Sequence, residues 1–217
     1  MTSNKEEYLK IIYANGGEKE PVSNKLIAEK LGVAPSSVTE MLSKLKTQGF
    51  IEIQPYKGAI LTEDGMVACM NVIRNCCLWE VFLVQHLGYS WREAHEEAHL
   101  LEHTSSTLLM DRLEDFLGYP LTCPHGSPIP QKNKLSPQVN LVSLTELRKG
   151  EKGISRRVSE NVELLDYLQR MGFRLNEEVT IIEVSDYEGP ILFLQGEESK
   201  RISFKAGREV YVEIVKE

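Results

Sequence analysis

Residues 23–50, SNKLIAEKLGVAPSSVTEMLSKLKTQGF, decide the fold. In the first part of this stretch Leu26, Ile27 and Leu31 recur at helical spacing behind Ser23, whose hydroxyl suits an N-cap. Gly32 then supplies the turn. A second helix opens at Pro35-Ser36, and Val38, Met41, Leu42 and Leu45 form its buried stripe up to Gly49. Ser37, Thr39, Glu40, Ser43 and Lys44 are left facing outward. Two short helices joined by a glycine turn read as a helix-turn-helix. Upstream, Tyr8, Leu9, Ile11 and Ile12 predict a short helix over residues 5–15, ended by Gly16-Gly17. Downstream, residues 50–54 alternate apolar and polar, Tyr56-Lys57-Gly58 can turn, and residues 59–61 can return as a second strand. That hairpin is the wing of a winged helix.

Beyond the wing, residues 62–87 read as one long helix capped by Thr62, and residues 91–117 as another ending at Gly118-Tyr119-Pro120. Their apolar stripes suit a dimer interface. Residues 121–137 are rich in Pro, Gly, Lys and Ser and contain Cys123-Pro124-His125-Gly126, so they read as a loop or linker. A boundary is placed near Gln138. Strand-like runs follow at residues 139–147, 153–158, 178–184, 191–194 and 209–215, with a helix near 162–171, which suggests a small SH3-like barrel. The expected organisation is a winged helix-turn-helix DNA-binding domain over residues 1–62, a helical dimerisation and metal-binding domain over 63–137, and an SH3-like domain over 138–217. The fold class is mainly α with a small β domain.

The chain has 217 residues, 41% hydrophobic and 26% charged, which is an ordinary soluble composition. The N-terminus MTSNKEEYLK is charged where a signal peptide would be apolar, and no run approaches the ~18 apolar residues of a membrane span, so a cytoplasmic protein with no membrane partner is expected. Cys69, Cys76, Cys77 and Cys123 lack disulfide-framework spacing and would remain thiols in a reducing cytosol. The net charge is −7, yet residues 1–61 carry eight Lys against seven Glu. A weakly basic head on an acidic body fits an operator-reading module joined to a carboxylate-rich one.

The chemistry concentrates in HEEAHLLEH, residues 95–103. On one continuous helix His95, His99, Glu102 and His103 share a sector of about 100°, with Ala94, Ala98, Leu101 and Leu109 in the adjoining one. Three imidazoles and a carboxylate suit a borderline divalent cation, and Cys76 and Glu80, spaced i,i+4 on the preceding helix, can meet them. Cys123 and His125, flanking one proline in a plain linker, are further candidates. His95 to His99 also matches the H-E-x-x-H pattern of zinc metalloproteases. The extended form wants Gly and His where this chain has Glu102 and Ser105, which weakens the match and leaves a zinc metalloprotease as a lesser alternative. No Ser/His/Asp triad spacing or phosphate-cradling glycine loop occurs, and neither an enzyme nor an organic cofactor is expected. A DNA-binding regulator with a non-metal effector and a metal buffer without operator specificity remain as other classes.

The opening NKEEYLKIIY, the segment VAPSSVTEMLSKL, LWEVFLVQHLGY, the HEEAHLLEH face, the TCPHG loop, and LLDYLQRMGF with VYVEI occur in the order of one family. The chain resembles the diphtheria-toxin-repressor family, in its streptococcal-type manganese or iron regulator branch, with a C-terminal domain similar to the FeoA module. The resemblance implies a dimer that binds a double-stranded palindromic operator and represses metal-uptake genes when a divalent transition metal, manganese or iron, is bound. It implies two metal sites, one of Glu7, His99, Glu102 and His103, the other of Cys76, Glu80, His95, Cys123, His125 and Glu160. Glu7 stands where the branch has Asp, His99 where it has Glu, and Cys76 where it has His. The last two changes soften the ligand set toward iron, cobalt or zinc. Pro35, Ser36, Ser37, Thr39 and Glu40 are expected at base edges, and Lys44, Lys46 and Lys57 at phosphates.

Overall fold

The computed structural model describes residues 2–133 and 140–215. The domain boundary expected near Gln138 and the strand start expected at Val139 lie outside the described residues. Two compact units share the chain. One comprises residues up to Leu78 together with His99–Phe116; the other comprises Trp79–Ala98, Leu117–Pro128 and the C-terminal segment.

The first unit opens with the three helices α1 (Ser3–Ala14), α2 (Asn24–Leu31) and α3 (Pro35–Thr47) and the hairpin β1 (Ile51–Gln54) and β2 (Gly58–Leu61). Ser23 caps α2 by accepting from the Leu26 amide at 3.2 Å, and Gly32 takes the left-handed conformation that closes it. Pro35 sits in the first turn of α3, where its missing N–H costs nothing. In the wing, Ile51 faces Leu61 and Gln54 faces Gly58. Val22 bridges to Ala59, bringing the backbone so close that a Cβ on Gly58 would stand 2.0 Å from the Val22 carbonyl oxygen. Leu9, Ile12, Ile27, Leu42, Leu45 and Ile51 are fully buried in one core, each contributing roughly 1.5–3 kcal/mol.

α4 spans Glu63–Leu87, with Thr62 Oγ1 accepting from the Gly65 amide at 3.1 Å as its cap. Contrary to expectation, it has the length and apolarity of a bilayer-crossing helix. More than half of that window is buried inside the protein, and Arg74 and Glu80 on it are buried ions with partners, the pattern of a core helix. The single helix expected over residues 91–117 is instead two, α5 (Trp91–Leu101) and α6 (Thr107–Phe116). Thr104 and Ser105 turn their hydroxyls back onto the Leu101 carbonyl, at 3.2 and 2.8 Å, and Ser106 caps α6 through the Leu109 amide at 3.2 Å. Hydroxyl side chains offer the backbone partners outside the helix, and here they end it. Leu108, Leu109 and Phe116 on α6 are exposed.

The second unit contains a six-stranded antiparallel sheet of order β3-β8-β4-β5-β6-β7. Its elements are β3 (Val142–Ser143), β4 (Lys152–Val158), α7 (Val162–Arg170), β5 (Glu178–Val184), β6 (Ile191–Gln195), β7 (Glu198–Ile202), the short α8 (Phe204–Gly207) and β8 (Val210–Ile214). β7 and α8 were not anticipated, because Glu198-Ser-Lys-Arg is polar and its pairing with β6 comes from the Gly196 turn. Leu144–Glu146 forms a 3₁₀ turn where strand was expected. α7 buries Leu164, Leu165 and Leu168 against Val179, Ile181, Phe193 and Val212 of the sheet.

Candidate metal centre

In the first unit, Glu7 of α1 meets Glu102 and His103 of the turn after α5, with one ligand atom from each within 4.8 Å of the others. The helix break moves Glu102 and His103 off the α5 face on which the sequence placed them. His103 donates through Nδ1 to Glu6 Oε2 at 2.6 Å, and its Nε2 lies 2.8 Å from Glu7 Oε1 and 3.2 Å from Glu102 Oε1. Glu6 thus orients the imidazole, the arrangement of a carboxylate behind a candidate histidine ligand. It was not anticipated, although its place beside Glu7 was the available signal.

Burial would lower the His103 pKa, but its hydrogen bond to Glu6 and the charge of Glu102 outweigh it and raise it. Burial would raise Glu102, yet His99 and Lys10 hold it below the usual carboxylate range. Glu102 has one buried carboxylate oxygen, Oε2, with no hydrogen-bond partner. An orphaned acceptor among convergent carboxylates and an imidazole fits a divalent cation. His99 adjoins through Nδ1, 3.2 Å from Glu102 Oε1. Cys76, expected with the other group, is buried in this unit. Burial pushes the neighbouring Cys69 thiol up to about 12.

In the second unit, Glu80 of α4, Cys123 and His125 of the loop, and Glu160 after β4 converge in the same way. Glu80 Oε1 accepts from His95 Nδ1 at 2.8 Å, so His95 stands beside this group through Glu80. His125 Nδ1 lies 3.3 Å from Glu80 Oε2, a charge contact too poorly aligned for a hydrogen bond; neither atom has a hydrogen-bond partner, and both are buried. His125 Nε2 donates to the Trp91 carbonyl at 3.3 Å, which commits that nitrogen and aims Nδ1 at the cluster. A buried carboxylate and a buried imidazole 3.3 Å apart, beside a cysteine sulfur, form a donor set that suits a cation there as well.

The loop is held from behind. The Gly126 amide donates to the Cys123 carbonyl, Cys123 donates to Ser127, and Val158 of β4 donates to the His125 carbonyl, each at 2.9 Å. Gly126 has φ +83°, and a Cβ there would stand 1.9 Å from the Arg156 carbonyl oxygen. Glu160 is exposed and accepts from Ser127 Oγ at 3.1 Å. Burial opposes ionisation of Glu80, but His125 and His95 hold its pKa down at about 2; burial likewise opposes charging of His125, which Cys123 and Glu80 push up to about 11.

At the winged helix, Pro35, Ser36, Ser37, Thr39, Glu40, Lys44, Lys46 and Lys57 are all exposed. Thr39 donates to the Pro35 carbonyl at 3.1 Å, and Lys44 donates to Glu40 at 2.6 Å, so these two positions engage one another before any ligand arrives. Tyr56 at the wing tip is fully exposed with φ 64°, and it was read only as a turn residue. Glu96, the would-be base of the H-E-x-x-H pattern, is half exposed and paired with Arg92 at 3.2 Å.

A winged helix, carboxylate–imidazole groups and a C-terminal sheet domain define a metal-dependent DNA-binding regulator. The comparisons agree along the chain. Residues 1–59 match the N-terminal DNA binding domain of the iron dependent repressors, residues 62–131 their metal binding and dimerisation domain, and residues 142–214 the FeoA domain. The chain is 30% identical over 223 residues to the iron-dependent repressor IdeR of Mycobacterium tuberculosis, covering 97% of this chain and 96% of that one. A manganese-dependent transcriptional repressor solved with manganese superposes with a TM-score of 0.88 at 31% identity, covering 97% of this chain and 99% of that one. ScaR with bound Cd2+ gives 0.83 at 35% identity, over 98% of this chain and all of that one. The chain belongs to the iron-dependent repressor family, whose members are metal-dependent transcriptional repressors.

Proposed function

We propose that the protein acts in the cytoplasm as a homodimer that binds a palindromic operator when a divalent transition metal fills the Glu7–Glu102–His103 group, and so represses metal-uptake genes. The observation that carries this reading is that Glu7 lies on the first helix of the DNA-reading segment while Glu102 and His103 lie beyond α5. An ion held by all three ties residues 1–62 to residues 63–137. Two recognition helices must stand about 34 Å apart to enter successive major grooves, and an ion that binds better to the correctly spaced arrangement selects it. Leu108, Leu109 and Phe116, exposed on α6, suit the partner protomer. Residues 138–217 contribute Glu160 to the second group.

Bound at either group, the ion supplies a fixed positive charge that neutralises clustered carboxylates. Manganese or iron is the family's metal; His99 in place of a carboxylate, and Cys76 where it enters, move preference toward iron, cobalt or zinc. Pro35, Ser36, Ser37, Thr39 and Glu40 read bases, and Lys44, Lys46 and Lys57 meet phosphates. The test is binding of metal-stripped protein to an operator selected from random DNA, titrated separately with Mn2+, Fe2+, Co2+ and Zn2+, beside His103→Ala. Metal-dependent binding that the variant loses supports the proposal; equal binding with and without metal defeats it.

A further inference from the structure

The Glu7–Glu102–His103 group already holds a cation. Lys10, one helical turn after Glu7 on α1, places Nζ 2.5 Å from Glu102 Oε1, 3.2 Å from His99 Nδ1 and 3.7 Å from Glu7 Oε1. Its side chain is only 17% exposed and that of Glu102 is fully buried, so this is not a loose surface pair. The ammonium touches three of the four side chains that would share an ion, and its closest contact is with a carboxylate that a metal would need. A divalent ion coordinating the Glu102 carboxylate at about 2.1 Å, through the orphaned Oε2 or through Oε1, would stand within a few ångströms of Nζ. Two cations cannot share that carboxylate in a poorly solvated site without strong repulsion.

We propose that Lys10 is a resident counter-cation of this group, displaced when a divalent ion enters, and that it thereby sets the metal concentration at which the group fills. The inference rests on reading Glu7, Glu102 and His103 as a metal site. In the metal-free protein Lys10 neutralises a buried carboxylate that would otherwise be uncompensated. On metal entry its four-methylene stem swings the ammonium toward the side on which it is already partly solvated. The lysine therefore stabilises the empty state and competes with the filled one.

The experiment compares wild type with Lys10→Met, which keeps the apolar stem, and with Lys10→Gln as a second variant should the first fold poorly. Both are made in the His125→Ala background so that Mn2+ titrated by calorimetry reports the first group. The expected result is at least ten-fold tighter Mn2+ binding in the variant, with a lower Tm for the metal-free protein and an unchanged Tm for the Mn2+-saturated one. Unchanged or weaker binding, with both forms losing Tm equally, would make Lys10 a structural residue and overturn the proposal. If neither protein shows Mn2+ binding that His103→Ala removes, the underlying site assignment fails, and the proposal fails with it.

Discussion

Metal binding at the Glu80–Cys123–His125–Glu160 group should release protons in a pH range where a histidine ordinarily has none to give. An isolated imidazole with pKa near 6.5 is about 3% protonated at pH 8. Here burial works against the charged form, but Cys123 and Glu80 push His125 up to about 11, so its Nδ1 remains protonated throughout the neutral range. Nε2 is committed to the Trp91 carbonyl, which leaves Nδ1 as the ligating atom, and its proton must depart when an ion arrives. Glu80, held down at about 2, is already ionised and contributes none. The count is therefore at least one proton per ion at pH 8, and the logarithm of the affinity rises by about one per pH unit between pH 6.5 and 9. Because the folded pKa is raised, the protonated imidazole stabilises the metal-free protein fully below about pH 6.5, and that contribution is lost as pH climbs through about 11. Calorimetry with Mn2+ at pH 8, in two buffers of different ionisation heat and in a His103→Ala background, gives the count directly. Glu80→Gln should bring it down together with the affinity. A wild-type count near zero at pH 8 would refute the assignment of His125 as a protonated ligand held by Glu80.

Other outcomes follow from single contacts. Glu6→Gln removes the carboxylate behind His103 and should weaken metal binding at the first group by roughly 10- to 100-fold, read as a shift in Kd. Gly126→Ala forces a side chain into a left-handed turn and against the Arg156 carbonyl; a loss of about 2 kcal/mol or more in chemical denaturation is expected, with weaker binding at the second group. Arg74, 3% exposed and paired with Glu114 at 2.6 Å and Asp111 at 3.3 Å, should cost about 3 kcal/mol when changed to Ala, whereas an unchanged midpoint would show those carboxylates to be solvated. Lys44→Ala should weaken binding to every DNA sequence and lower the salt slope by about one; an unaltered slope would remove Lys44 from the phosphate contacts.

Much of the architecture was written locally. Ser23, Gly32 and Pro35 mark helix ends by their own conformational preferences, and the stripe Val38, Leu42, Leu45 names the buried face of α3 without help from elsewhere. The break after Leu101 was missed because apolar periodicity continues through it; the signal lay in Thr104, Ser105 and Ser106, whose hydroxyls compete for backbone partners. β7 was missed because four of its five residues, Glu198 to Arg201, are polar and carry no apolar alternation; its strand comes from pairing with β6 across the tight turn at Gly196. Within the candidate groups, Glu80, Glu102, His103, Cys123 and His125 were legible as candidates from their spacing and loop context, whereas Glu7 and Glu160 came only with the family resemblance. The supporting partners were not: Glu6 behind His103 and the Trp91 carbonyl behind His125 depend on where separate segments meet. Lys10 was the least legible, since a lysine on an amphipathic helix usually faces water, and only the burial of Glu102 gives it a different role.

The clamp behind Cys123 and His125 bears on how the chain could be shortened. Among the four converging residues only Glu160 follows the linker, so by a count of candidate ligands a version ending near residue 133 loses a single exposed carboxylate. It would lose more, because Val158 grips the His125 carbonyl and the Arg156 backbone packs directly over Gly126. A truncated chain would keep the cysteine and the histidine while losing the backbone that sets their spacing, and a tighter-binding chelate would have become two tethered side chains on a slack loop.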